Sequence, residues 1–358
     1  MKQGDDVPKL LHMYVYATRG CNLRCGHCWV DASQGREDAG QGRSHTPEEN
    51  LSIDDLRLAI GQAVPLGLRR IKITGGEPLL REDFCNLYKV CWDASEDVSL
   101  ETNGTVVPPG FWNTMVRIPP TSVAVSMDSM DSSIHDAFRG LDGAWEMTGN
   151  FICGLVRRGI RTLAVKTVLP EDTTATILDT IERLLDLGVS AVKLNPIRPI
   201  GRAAALDATE SDVSGLMRLA RAISERFGQR AKIALPPALQ PLSALKYVHV
   251  CPLLNLISLL PGGRISLCGI ASTRPELVLG SIHEDGIAKV WADSPILHEI
   301  REKLPRKLQT PCSRCMLRDN CLGFCPMNNY AIGGDFAEPD DRCIRAVECG
   351  EFPESRLS

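Results

Sequence analysis

Over the first two-thirds of the chain, short β-branched, apolar runs alternate with longer stretches of helical period. That alternation narrows the fold more than any other feature of the sequence. Strands are predicted at residues 14–18, 71–74, 98–102, 123–126, 162–168 and 191–194. Helices are predicted at 52–66, 81–94, 132–138, 145–158, 173–187 and 211–227. The first opens on a Ser52-x-x-Asp55 cap and the last stops at Gly228. Strands spaced by helices pair in parallel, because a parallel connection needs a crossover of a dozen or more residues. Six such units are too few to close an eight-strand barrel, so an α/β fold with a partial barrel or an open sheet is expected.

The pattern changes at Pro236-Pro237. From there to residue 358 helices are short, Gly and Pro are frequent, and eight of the fourteen cysteines appear. So long a stretch with little periodicity needs some staple besides a large core. A second, cysteine-rich domain with little regular structure is therefore expected at 236–358, behind a first at 1–235. With 40 basic and 44 acidic side chains the net charge is −4, which is not the footprint of a nucleic-acid binder. No apolar run reaches the ~18 residues of a membrane span; the longest, 248–260, is broken by Cys251, Pro252 and Asn255. The N-terminus lacks the apolar segment of a signal peptide, so a cytoplasmic protein is expected. In that reducing compartment fourteen cysteines read as metal ligands before disulfides.

Three of them form Cys21-x3-Cys25-x2-Cys28, just past the first strand. Three thiolates on one short loop suit a [4Fe–4S] cube and leave its fourth iron open to a small molecule. A zinc knuckle completed by His27 or His45 is the alternative. Polar or Gly-rich turns follow the next strands: Thr74-Gly75-Gly76-Glu77-Pro78, Glu101-Thr102-Asn103-Gly104 and Ser126-Met127-Asp128, with Arg139 shortly after. Strand C-terminal ends are where α/β folds place their sites. The polar stretch 31–50 is long for a connection and reads as a surface loop or a lid. Cys85, Cys91 and Cys153 fall in helical patterns and read as core, and His27, His135 and His283 as makers of structural hydrogen bonds.

The triplet followed by Gly-Gly-Glu-Pro and Thr-Asn-Gly resembles the radical S-adenosylmethionine superfamily, whose core is a partial (β/α)6 TIM-like barrel. The resemblance implies that Cys21, Cys25 and Cys28 hold the catalytic cluster and that S-adenosylmethionine chelates its open iron. It further implies that Gly75, Gly76, Glu77 and Pro78 receive the cofactor's amino group and that Glu101 sits near the ribose, beside Asn103. Ser126 and Arg139 match cofactor contacts, at a spacing one residue longer than in relatives, and Trp29 matches an aromatic beside the adenine. Asn195-Pro196-Ile197-Arg198-Pro199 and Gly201-Arg202 resemble the segment after the sixth strand.

The later cysteines, Cys251, Cys268, Cys312, Cys315, Cys321, Cys325 and Cys343, resemble the SPASM domain of peptide-modifying members. The resemblance implies two auxiliary [4Fe–4S] clusters: an outer one on Cys312, Cys315, Cys321 and Cys343, and an inner one on Cys251, Cys268 and Cys325. Some relatives carry a further upstream cysteine, and none occurs between Cys153 and Cys251. The inner cluster then keeps an open iron, or His249 fills the place. Zinc-ribbon spacing is the non-iron alternative for this region, and a noncatalytic electron carrier the alternative for the chain. The implied reaction is reductive cleavage of S-adenosylmethionine to a 5′-deoxyadenosyl radical, which abstracts a hydrogen atom from an unactivated carbon. The expected substrate is a ribosomally made peptide, or else a sugar, aminocyclitol or other small metabolite. The expected partners are an electron donor such as a flavodoxin or ferredoxin and a separate leader-peptide-binding protein, with no nucleic acid or membrane.

Overall fold

A computed structural model describes residues 7–29, 50–205, 212–247, 251–272 and 274–357. The predicted lid at 31–50 (all but Asn50), His45 and His249 lie outside them. In chain order the elements are β1 (His12–Tyr16), α1 (Ile53–Ala63), β2 (Arg70–Thr74), α2 (Phe84–Ala94), β3 (Asp97–Thr102), α3 (Phe111–Arg117) and β4 (Ser122–Ser126). They continue with α4 (Ser132–Arg139), α5 (Ala144–Arg157), β5 (Thr162–Val168), α6 (Thr174–Asp186), β6 (Ala191–Pro196) and α7 (Val213–Phe227). Four strands come last: β7 (Ala231–Ile233), β8 (Leu256–Leu260), β9 (Arg264–Ser266) and β10 (Val278–Ser281). Every strand and helix predicted before residue 235 is present, and α3 and β7 are additions. The caps behave as read: the Ser52 hydroxyl accepts from Asp55 N at 2.9 Å, and Gly228 ends α7 with φ of 57°.

The chain forms two compact units, each discontinuous in sequence. One comprises 1–23, 30–123 and 252–300. Its strands run in the order β10-β9-β8-β1-β2-β3. β1 pairs in parallel with β2 on one side and with β8 on the other, while β9 is antiparallel to both β8 and β10. The region after residue 236 is cysteine-rich and less regular, as expected, and contributes the three short strands β8, β9 and β10. β8 is five apolar or small residues, Leu-Ile-Ser-Leu-Leu, all buried, because a parallel strand covered on both faces has no polar side to show. Gln62 of α1 ties this region in, donating to Ile282 O at 3.3 Å and accepting from Ile287 N at 2.8 Å.

The second unit comprises 24–29, 124–251 and 301–358, with strand order β4-β5-β6-β7. β5 and β6 are parallel over six residue pairs and β6 is parallel to β7. Lys166, fully buried in β5, is neutralised by Asp172 at 2.7 Å and also donates to Asp128 O at 2.5 Å. The segment after β6 anchors the C-terminal cysteine region of this unit: Arg198 pairs with Asp340 and Asp341, the N-cap and first residue of the helix carrying Cys343. Arg342 pairs with Asp340 at 2.8 Å and donates to Ala234 O at 2.9 Å. Of the cysteines read as core, Cys91 is fully buried, while Cys85 and Cys153 are half-buried. Among the described residues, no helix is long and apolar enough to cross a membrane.

Candidate active site

The candidate residues fall into two groups, one within each unit. In the first, β2 and β3 end side by side. A Cβ on Gly76 would stand 2.0 Å from Gly20 O, and Gly75 has φ of +136°, so glycine alone lets the turn lie against the chain entering the cysteine loop. Two backbone bonds fasten that approach, Gly76 N to Thr18 O and Glu77 N to Gly20 O, each at 2.8 Å. Gly76→Ala is accordingly expected to displace the strand before Cys21 and to cut S-adenosylmethionine affinity by tenfold or more. Equilibrium binding to the anaerobic holoprotein checks this, and wild-type affinity would refute it.

Glu77, 1% exposed, is spent inside the protein. Its carboxylate accepts from Thr102 Oγ1 at 2.6 Å, Asn103 N at 2.7 Å and Leu79 N at 2.9 Å. Its part is to lock the Gly-Gly-Glu-Pro turn onto the Thr-Asn-Gly turn, while Pro78 opens a short 3-10 turn behind it. Asn103 Nδ2 donates to Asn22 Oδ1 at 3.1 Å, which links the Thr-Asn-Gly turn to the residue after Cys21. Glu101, more open, has both oxygens engaged: Lys72 Nζ and Thr74 Oγ1 each donate at 3.0 Å. Lys72 also lies 3.7 Å from the centre of the Tyr14 ring. Burial pulls the lysine's pKa down, but the Glu101 charge and hydrogen bond, with Tyr14 and Cys268, together outweigh it and the net shift is upward. Cys268 belongs to this unit; burial, and next the charge of Cys268, raise the Tyr16 hydroxyl.

The second unit holds Cys25 and Cys28. Arg24 N donates to Arg139 O at 2.9 Å and Gly26 N to Phe138 O at 3.2 Å, so the end of α4 carries the loop. Arg139 Nη1 reaches Cys25 Sγ at 3.5 Å, and its Nε bonds Asp128 Oδ2 at 2.6 Å. Burial raises the Cys25 thiol, and the guanidinium opposes that rise. Asp128 is fully buried; burial pushes its pKa up, but Arg139, with His27 and the Thr167 backbone hydrogen bond, together outweigh this and the carboxyl falls to about 2. Cys28 is braced from the far side. Arg202 N donates to Cys28 O at 3.0 Å and Arg202 Nε to Cys25 O at 2.9 Å, while a Cβ on Gly201 would lie 2.4 Å from Cys28 O. His27 stacks on Phe138 at 4.9 Å, its Nε2 lies 3.4 Å from Thr167 Oγ1, and its buried Nδ1 has no hydrogen-bond partner among the described residues; His135 Nδ1 accepts from Asp128 N at 3.2 Å. His283 bonds Asp55 at 3.0 Å as a structural histidine should. Ser126 closes β4 half-buried, and Trp29 is 42% exposed.

Of the cysteines expected to hold auxiliary clusters, the four assigned to the outer one come together. Cys312, Cys315, Cys321 and Cys343 line one cavity of the second unit, walled by Pro236, Phe352 and their neighbours. Burial and then the neighbouring thiols push Cys312 and Cys321 to about 12, so four sulfurs crowded in apolar surroundings ask for a metal's positive charge. The donor set fits an iron–sulfur cube. Cys251 and Cys325 lie in this unit and Cys268 in the other.

Sequence reasoning missed Asp128, Asn22 and Lys72. Asp128 was visible only as the last residue of a turn; its pairing with Arg139 depends on α4 folding back over β4. Lys72 alternates with Ile71 and Ile73 along β2, a polar residue pointing off the core face, and that alternation was a readable signal.

The family described as "Radical SAM superfamily" matches residues 15–195, and the SPASM "Iron-sulfur cluster-binding domain" matches 251–316. The AdoMet-dependent heme synthase of Methanosarcina barkeri is 25% identical over 95% of this chain and 97% of its own. The mycofactocin maturase MftC of Mycobacterium ulcerans is 25% identical over 98% of this chain and 95% of its own. Streptococcus suis SuiB, solved bound to precursor peptide SuiA, superposes with a TM-score of 0.71 at 17% identity, over 93% of this chain and 75% of SuiB.

Proposed function

Because the chain belongs to the radical S-adenosylmethionine superfamily and carries an iron–sulfur SPASM domain, we propose that it matures a ribosomally made peptide by oxidative modification at an unactivated carbon. It is an iron–sulfur-dependent enzyme that uses [4Fe–4S] clusters and S-adenosylmethionine. When bound, cluster and cofactor supply one-electron cleavage of a sulfonium and abstraction of a hydrogen atom from carbon. In this reading Cys21, Cys25 and Cys28 hold the catalytic cluster. Arg139 sets a positive charge at Cys25, and Arg202 and Gly201 hold the backbone of Cys28 in place. Glu77 keeps two turns in register for the cofactor, and Glu101, steadied by Lys72 and Thr74, presents a carboxylate to ribose hydroxyls. Asn103, Ser126 and Trp29 are the further cofactor contacts that the resemblance implies. Cys312, Cys315, Cys321 and Cys343 hold the outer auxiliary cluster, and Cys251, Cys268 and Cys325 the inner one. Electrons come from a flavodoxin or ferredoxin.

The observation that supports the peptide reading is the near end-to-end match to a PqqA peptide cyclase, 24% identical over 94% of this chain and 86% of its own. The match to a heme synthase, of similar identity and reach, favours a second reading: oxidation of a small metabolite. Anaerobic holoprotein with reductant and S-adenosylmethionine, given the short peptides encoded beside its gene, is expected to change a peptide's mass by loss of about two hydrogens. Release of 5′-deoxyadenosine with every peptide unchanged, and one small metabolite consumed instead, would decide for the second reading.

A further inference from the structure

The second unit carries another cavity, of about 340 Å³, whose chemistry the reaction above does not use. Its walls include Met217, Leu239 and Leu242, and two arginines, Arg221 and Arg356, line it against a single acid, Glu225. Arg356 is only 5% exposed. Its Nη1 donates to Ser355 Oγ at 3.3 Å and its Nη2 to Gln240 O at 3.2 Å, both long for a charged donor. Its buried Nε has no hydrogen-bond partner among the described residues. Among the described residues, no carboxylate forms an ion pair with Arg356. A buried guanidinium without a counter-charge is costly, so a position that keeps one needs a reason for it. The backbone there is firm: Arg356 O accepts from Met316 N at 2.9 Å, and Leu357 bridges Cys315. The charge is thus mounted on the same short pairing that seats an outer-cluster cysteine.

We propose that this cavity binds an apolar carboxylate about the size of one or two amino-acid residues. Arg356 and Arg221 take the carboxylate, and Met217, Leu239 and Leu242 the apolar body. A cavity of this volume with apolar walls and a few convergent polar groups is at the small end of ordinary ligand sites. The proposal is independent of the substrate of the radical reaction, since it rests on charge and enclosure alone.

Calorimetric titration of the whole, anaerobically reconstituted protein tests it with three probes: N-acetyl-leucyl-leucine, the same dipeptide as its carboxyl-terminal amide, and octanoate. At least one acid is expected to bind, and the dipeptide acid, if it binds, at least about tenfold more tightly than its amide. Binding by the dipeptide acid alone identifies a peptide terminus as the natural ligand, and binding by octanoate alone a free carboxylic acid. Leu242→Asp, at a rim position 70% exposed, is expected to weaken acid binding about tenfold and leave any amide binding unchanged. Arg356→Met is expected to erase the preference for the acid; should that variant fail to fold, the Leu242 variant decides. Equal affinity for the dipeptide acid and amide, or no saturable binding by either acid, overturns the proposal.

Discussion

Cys25→Ser is expected to stop S-adenosylmethionine cleavage, with 5′-deoxyadenosine release falling by about a thousandfold or more. A hard hydroxyl replaces a soft thiolate on a loop that has only three to offer. Iron content should fall at the same time from about twelve atoms per chain to about eight, the loss of one cube from three. Cys312→Ser provides the contrast. It too should lower iron to about eight, because it removes one of four sulfurs lining a single cavity. It should leave 5′-deoxyadenosine release measurable while finished product disappears. The pair of variants separates the centre that starts the reaction from one that serves it later. Unchanged cofactor cleavage in the Cys25 variant would refute the assignment of the triplet.

Arg139→Met is expected to be the most destabilising single exchange in the second unit. It leaves Asp128, fully buried, without the partner that holds its charge, and breaking one side of a buried pair costs about 3–5 kcal/mol. The melting midpoint of the cluster-free protein should fall on the order of 10 °C. Arg139→Met combined with Asp128→Asn should cost less than the sum of the two single changes, since the second removes the charge stranded by the first. The same pair gives a pH signature. Asp128 titrates near 2 when folded, below the usual 3.8, so its stabilisation is complete above the ordinary carboxylate range and fades as pH falls towards 2. The Arg139 variant should lose that acid-side dependence. A midpoint within 2 °C of wild type would show that the ion pair is dispensable.

The sequence carried the strand–helix alternation well because each element before residue 235 buries a single face and so keeps its period. It carried β8 poorly for the opposite reason: a strand enclosed on both sides shows an unbroken apolar run, and periodicity cannot tell that from a core helix. α3 was missed because it is seven residues long behind Pro108-Pro109-Gly110, where turn signals dominate. Within the site, cysteine spacing and the glycine turns were legible, since thiolate chemistry and close backbone approach each demand one residue type. Asp128 and Lys72 were not singled out, because a buried counter-charge is defined by whatever folds against it. The expectation for Glu77 shifts as well. Its side chain is consumed in bracing two turns, which leaves the turn's backbone as what it offers a ligand.

The pairing of His12 with Leu256 has a consequence for biosynthesis. The first strand leaves the ribosome 244 positions ahead of one of its two neighbours. At translation speeds of about 5–20 residues per second, it waits roughly 12–50 seconds with one hydrogen-bonding edge bare. During that interval the nascent chain is open to mispairing and needs chaperone cover. A truncation at residue 235 would make the wait permanent, and such a fragment should be insoluble however complete its other strands are.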